Sequence, residues 1–145
     1  MDDLDRRIVD VLVRDGRATY AEVGGEVGLS APAAKRRVDR LRESGAIRGF
    51  TALVDPAALG WRTEAYVEVY CRGTVSPDEL RANLARVPEV VGACTVTGSA
   101  DALVHMLAAD VRQLEQAMER IRDEPGVDHT KSVIVLSRLI DRGRG

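Results

Sequence analysis

Apolar positions recur three or four residues apart through the first third of the chain and two apart through much of the rest. Leu4, Ile8, Val11 and Leu12 share one helical face behind Asp2 or Asp3 as a cap, and the run ends near Gly16. Thr19 with Glu22 three residues on reads as a capping box, so a second helix starts there with Val23, Val27 and Leu29 turned inward. Gly28 ends it, because a left-handed turn residue is least strained as glycine. Ser30 offers the next N-cap, and Pro32 sits in the first turn, where no backbone donor is needed. Ala34, Val38 and Leu41 then form one buried stripe. Gly24 and Gly25 stand side by side in the second helix, each costing about 1 kcal/mol relative to alanine. That helix is expected to rely on packing and to be the softest of the three.

After Gly45 the segment AIRGFTALVDPAALG alternates as a strand would and stops at Asp55-Pro56, which predicts a short wing and a linker. Trp61 at the junction reads as a packing residue between domains or subunits. In RTEAYVEVYCR the period is two, with Ala65, Val67, Val69 and Cys71 facing one way. Ser76-Pro77-Asp78-Glu79 opens a helix with Leu80, Leu84 and Val87 inside, and Pro88 closes it. VVGACTVTG is a strand, Ser99-Ala100-Asp101 a turn, and ALVHMLAAD another strand. Asp110 caps a helix with Val111, Leu114, Met118 and Ile121 inward; Glu124-Pro125-Gly126 ends it before a last strand, VDHTKSVIVLSRLI. The order β-α-β-β-α-β is the split arrangement of ferredoxin-like folds. The fold class is therefore α+β: a winged helix-turn-helix over residues 1–48, a strand and linker over 49–61, and a ferredoxin-like domain over 62–145. With both helices on one sheet face, the other lacks cover, yet the strands near Val104 and Val133–Leu136 are apolar on both faces. A second subunit is the simplest cover, which predicts a dimer or larger assembly.

Composition changes this picture little; charge distribution changes it more. Hydrophobic residues make up 45% and charged residues 30% of the 145 positions, as in a globular protein. No apolar run approaches the roughly 20 residues of a membrane span, and MDDLDRR has no apolar signal core, so the expected location is the cytoplasm. Cys71 and Cys94 lack CxxC spacing and read as two buried free thiols. The net charge of −2 does not advertise a nucleic-acid binder, but residues 35–48 carry six basic and two acidic side chains. Lys35, Arg36, Arg37, Arg40 and Arg42 stand between the apolar positions of the third helix. On an isolated helix such charges would be only a solvated face. Behind a capped helix and a glycine turn, a helix with an apolar back and a cationic front has the geometry of a helix-turn-helix reader of DNA.

On that reading Lys35, Arg36, Arg37 and Arg40 are the candidates for phosphate and base contacts. Ser30, Ala31 and Ala33 lie at the helix N-terminus that enters the major groove, and Arg17 is placed for a backbone phosphate. His105 alternates with Leu103 and Leu107 as a packing residue would, and His129 lies near a strand start. No Ser-His-Asp, metal-ligand or phosphate-loop spacing occurs, so no catalytic residue, metal or cofactor is assigned.

The string LDRRIVDVLVRDGRATYAEVGGEVGLSAPAAKRRVDRLRESGAIRGFTALVDPAALG, with TVTGSADALVHM later, resembles the leucine-responsive/asparagine regulator (Lrp/AsnC) family of transcription factors over nearly the whole chain. The resemblance implies a prokaryotic regulator that binds double-stranded DNA and senses an amino acid or related small metabolite. It also implies homodimers that associate further, as far as octamers, with effector held between dimers. Carried onto this sequence, the effector site is Gly98, Ser99, Ala100 and Asp101, with Thr130 and Ser132 on the last strand. The free amides of the turn suit a carboxylate, and Asp101 can pair an ammonium. Residues of these types also favour a plain hairpin turn, and it is the resemblance that gives them a ligand. Ala102 stands where the family often has an aromatic residue. Two rivals remain at this point. One is a haem-pathway (tetrapyrrole) decarboxylase of similar two-domain build; the other is a metabolite-sensing module without DNA binding. The basic third helix favours the regulator over both.

Overall fold

In a computed structural model that describes residues 1–141, the chain forms two units, divided between Ala52 and Leu53. Residues 142–145, the end of the range assigned above to the second domain, lie outside the described residues. Asp2 caps α1 (Asp3–Arg14) through a reciprocal capping box, its Oδ1 accepting from the Asp5 amide at 2.7 Å. Thr19 and Glu22 form the second box at the start of α2 (Tyr20–Val27), and Gly28 ends that helix with φ 78°. Ser30 Oγ accepts from the Ala33 amide to open α3 (Ala31–Glu43). Ile8, Val11, Val23, Val27, Ala34, Val38 and Leu41 close into one core, with Leu4, Leu12, Leu29 and Ile47 at its edge. Each fully buried branched side chain contributes roughly 1.5–3 kcal/mol, so this small unit rests mainly on that stripe-to-stripe packing.

The two glycines of α2 are not equivalent. A Cβ on Gly24 would lie 2.4 Å from the Leu29 carbonyl oxygen, whereas one on Gly25 would meet nothing within 4 Å. The turn between α2 and α3 folds back over Gly24, and the Leu29 amide bonds to the Gly24 carbonyl at 2.8 Å. Gly24 is thus the close-approach residue that lets α3 cross α2.

The strand expected as a wing after Gly45 does not form. Among the described residues there is no strand between α3 and Thr63; instead the Ile47 amide bonds to the Leu41 carbonyl, and Pro56–Leu59 make a single 3₁₀ turn. A strand needs a ladder partner, and this stretch has none among the described residues. Phe50, Leu53 and Val54 are left half-exposed or more.

The second unit is a four-stranded antiparallel sheet of β1 (Thr63–Cys71), β2 (Val90–Thr95), β3 (Ala102–Ala108) and β4 (Val127–Ile134), in the order β2-β3-β1-β4. Helices α4 (Pro77–Leu84) and α5 (Val111–Arg122) carry Leu80, Leu84, Leu114, Ala117 and Ile121 into the core. Opposite them stand Ala65, Val67 and Val69 of β1 and Ala102, Val104, Met106 and Ala108 of β3. The inward stripe of α5 differs from the expected one: Val111, its first residue, is 57% exposed, and Ala117 takes an inward place. Glu89 is buried, and burial alone would push its pKa up. Hydrogen bonds from the backbone, Arg120 (2.8 Å) and Gln113 (3.1 Å) outweigh this and keep it below the ordinary carboxylate value. The thiols are free but not both buried, since Cys71 is half-buried and Cys94, on edge strand β2, is exposed. Among the described residues no helix is long and apolar enough to cross a membrane.

Candidate nucleic-acid and effector interfaces

With Ala34, Val38 and Leu41 fixed in the core, helical geometry decides where the cations of α3 can go. Arg36 projects from the opposite side, exposed and without an ion pair among the described residues. Arg40 stands beside it, 62% exposed, with one long contact of 3.4 Å to Asp5. Lys35 is tied to Asp39 one turn along, which raises its pKa through that hydrogen bond. Arg37 turns back toward α1, where its Nη1 donates to Asp2 Oδ2 and Asp5 Oδ1, both at 2.7 Å. Its side chain is only 26% exposed. Ser30 is exposed at the N-terminus of α3, Ala31 and Ala33 are half-buried there, and Arg17 is exposed just before α2.

Ser30, Lys35, Arg36, Arg40 and Arg17 therefore reach solvent, while Arg37 ties two helices together. Arg37 faced the same way as the others only in composition; the carboxylates that claim it lie on α1, more than thirty residues away. A signal was present in the sequence. Asp5 stands three residues before Ile8 on the inward stripe of α1, and an acidic residue on such a stripe is seldom left unpaired.

In the second unit, the turn from Gly98 to Asp101 links β2 to β3. Gly98 takes φ 109°, a backbone conformation that other residues rarely adopt. The Asp101 amide donates to the Val69 carbonyl at 2.9 Å, and its Oδ2 accepts from the Cys71 amide at 2.7 Å. One carboxylate oxygen thus finishes the end of β1. Gly98 and Ser99 are exposed and Ala100 is buried. Val69 pairs with Ala102 on one side and Thr130 on the other, so the turn and Thr130 flank the same end of β1. The Thr130 Oγ1 is buried without a hydrogen-bond partner among the described residues. Ser132 pairs with Val67, two residues farther along the strand, and is exposed. Ala102 is buried on the helix-covered side of the sheet, 2% exposed.

The sheet face away from the helices carries a mixed surface. Tyr66 stacks on His105 with ring centroids 4.8 Å apart, and Tyr70 on His129 at 4.2 Å. His105 Nε2 lies 2.7 Å from Glu64 Oε1, which also accepts from Arg138. Leu103 and Leu107 flank His105, half-buried, and Val133 opposite Tyr66 is 65% exposed. His105 is thus a packing residue of the open face.

Two family models match the chain: an AsnC-type helix-turn-helix domain over residues 1–42 and an Lrp/AsnC ligand binding domain over residues 64–144. A relative from Mycobacterium tuberculosis, the HTH-type transcriptional regulator Rv2324, is 57% identical over 98% of this chain and 96% of its own length. The crystal structure of transcriptional regulator NMB0573 from Neisseria meningitidis, in complex with L-Met, superposes with TM-score 0.90 at 26% identity, covering 97% of this chain and 93% of that one. The feast or famine regulatory protein Rv3291c from M. tuberculosis, complexed with L-methionine, gives TM-score 0.90 at 33% identity, covering 99% and 97%.

Proposed function

The chain belongs to the Lrp/AsnC family of transcriptional regulators, and from that premise we propose how its two units divide the work. It is a regulator with a DNA-binding helix-turn-helix and a ligand-binding domain; its relatives are named as regulators, and none of those named above supports the decarboxylase reading. In our proposal residues 1–48 bind duplex DNA, 49–61 link, and 62–145 bind effector and assemble. Arg36 and Arg40 reach into the major groove from α3, with Ser30, Ala31 and Ala33 at the entering end and Lys35 and Arg17 on phosphate. The observation that carries this is Arg36, exposed opposite the buried stripe and without an ion pair among the described residues.

The effector is an amino acid, methionine being the first to try because two structural neighbours hold it. Its carboxylate meets the amides of Gly98, Ser99 and Ala100, and its ammonium the free oxygen of Asp101. The unpartnered Thr130 hydroxyl, with Ser132 beyond it, offers a further polar contact. Two chains cover each other's open sheet faces, and dimers associate further, as far as an octamer, in the cytoplasm where DNA and free amino acids meet. Calorimetric titration of the full-length chain with L-methionine, then with a pool of the other amino acids, tests the effector assignment. Saturable binding lost in Asp101→Ala supports it; binding that survives this change moves the site elsewhere.

A further inference from the structure

Asp5 is an unusual residue for its place: a carboxylate only 4% exposed, on the inward stripe of α1. Arg37 Nη1 bridges it to Asp2, both at 2.7 Å, and Arg40 Nη2 reaches the same Asp5 oxygen at 3.4 Å. A buried carboxylate stripped of its cation is strongly disfavoured, so Arg37 cannot readily leave for another anion. Arg40, more exposed and more loosely held, can. Lys35 is likewise engaged by Asp39. Of the five cations on α3, Arg36 and Arg42 carry no ion pair among the described residues.

Phosphate contacts are blind to sequence, so each one strengthens binding to every duplex alike. A recognition helix with all its cations free would be held more tightly on the many wrong sites as well as on the right one. We propose that the Asp2–Asp5 carboxylate pair at the start of α1 limits sequence-blind affinity: it withholds Arg37 from phosphate and restrains Arg40, so that α3 meets DNA with fewer sequence-blind contacts than its composition offers. The proposal rests on the DNA-binding function given above. It adds that acidic residues outside α3 set the strength of its sequence-blind binding. These are positioning residues, acting on DNA only through the arginines they hold.

The test uses the full-length chain, a duplex selected by the wild-type chain from a randomised pool, and a random duplex of equal length. Anisotropy titrations are run from 50 to 200 mM salt, ranges over which each phosphate contact contributes about 0.9 to the slope of log affinity against log salt. Arg37→Gln is expected to leave the wild-type slope unchanged. Asp2→Asn/Asp5→Asn keeps a side chain that caps a helix as well as aspartate does. It is expected to steepen the slope by about 0.9 per bound domain, a further loss of about 3.5-fold over that salt range. It should also strengthen binding to the random and the selected duplex by similar factors, since phosphate contacts do not read sequence. Adding Arg37→Gln to the double variant should cancel both gains, which a merely structural effect would not do. A slope that falls by about 0.9 in Arg37→Gln overturns the proposal, as that residue would then already be on phosphate. So does a folded double variant with wild-type slope and affinity. Should the double variant not fold, the Arg37→Gln slope alone decides; should Arg37→Gln not fold, because it strips Asp5 of its cation, the slope of the double variant against that of the triple variant decides. A wild-type chain that binds neither duplex at 50 mM salt overturns the DNA-binding reading itself.

Discussion

Replacing the two adjacent glycines of α2 one at a time should move stability in opposite directions. Both lie in the helix, and in an unhindered helix interior alanine is preferred over glycine by about 1 kcal/mol. At Gly25 nothing lies within 4 Å of the new methyl, so Gly25→Ala should realise much of that gain. At Gly24 the methyl would sit 2.4 Å from the Leu29 carbonyl oxygen, with the Leu29 and Ser30 carbonyl carbons at 3.2 and 3.3 Å. These are backbone atoms of the turn, which cannot rotate away as a side-chain end could. Overpacking of this kind costs about 2–3 kcal/mol, leaving a net loss of about 1–2 kcal/mol after the gain in helix preference. Hydrogen exchange on the full-length chain isolates the effect to α2 and α3. Their most protected amides should lose about 5- to 30-fold in protection in Gly24→Ala and hold or gain in Gly25→Ala. Because relief of the clash displaces the turn, Gly24→Ala should also weaken DNA binding. Protection in Gly24→Ala equal to wild type, or above that of Gly25→Ala, would refute the close-approach argument.

Acid should loosen the first unit through the Arg37 tie. The Asp2 carboxyl is lowered from 3.8 to about 2, first by its hydrogen bond with Arg37, and Asp5 is lowered by the same partner. Folded values below unfolded ones mean that this stabilisation is complete above 3.8 and lost as pH falls toward 2. Helical circular dichroism should therefore drop in that window for wild type and less steeply in Asp2→Asn/Asp5→Asn; superposed acid profiles would rule the tie out as a source. Val133→Asp, on the open sheet face, should yield a smaller species in sedimentation with unchanged circular dichroism. An unchanged mass would take that face out of the interface. Asp101→Ala should abolish amino-acid binding and also free the Cys71 amide at the end of β1, so its circular dichroism must be compared with wild type.

The helix-turn-helix was legible because each boundary is written locally. The aspartate cap of α1, the Thr19/Glu22 box, the Gly28 stop and the Ser30 cap all act within four residues of chain. The βαββαβ order was legible for the same reason, with period two in β1 and β3 and capped starts at Ser76 and Asp110. Non-local facts were harder. The alternation after Gly45 suggested a strand, but a strand depends on a partner that sequence periodicity does not reveal. Cys94 looked interior because β2 is apolar, yet β2 is a sheet edge, and edge position is a property of topology. Arg37 looked like its neighbours on α3 until α1 supplied its carboxylates. Gly24 looked like a defect because the cost of glycine is local, whereas its benefit, the passage of the turn over α2, is not.

On the proposed reading, the exposed face of α3 carries DNA binding and the second unit's ligand adjusts it. The most direct measurement is a titration of the full-length chain against duplex DNA from upstream of its own gene, across salt, with and without L-methionine and an amino-acid pool. Binding should weaken linearly in log affinity against log salt, be abolished by Arg36→Ala/Arg40→Ala with assembly intact, and shift when the effector is added. Undiminished binding in that double variant would contradict the assignment of α3. Absence of binding at low salt, extended to fragments of the whole genome, would contradict the claim altogether.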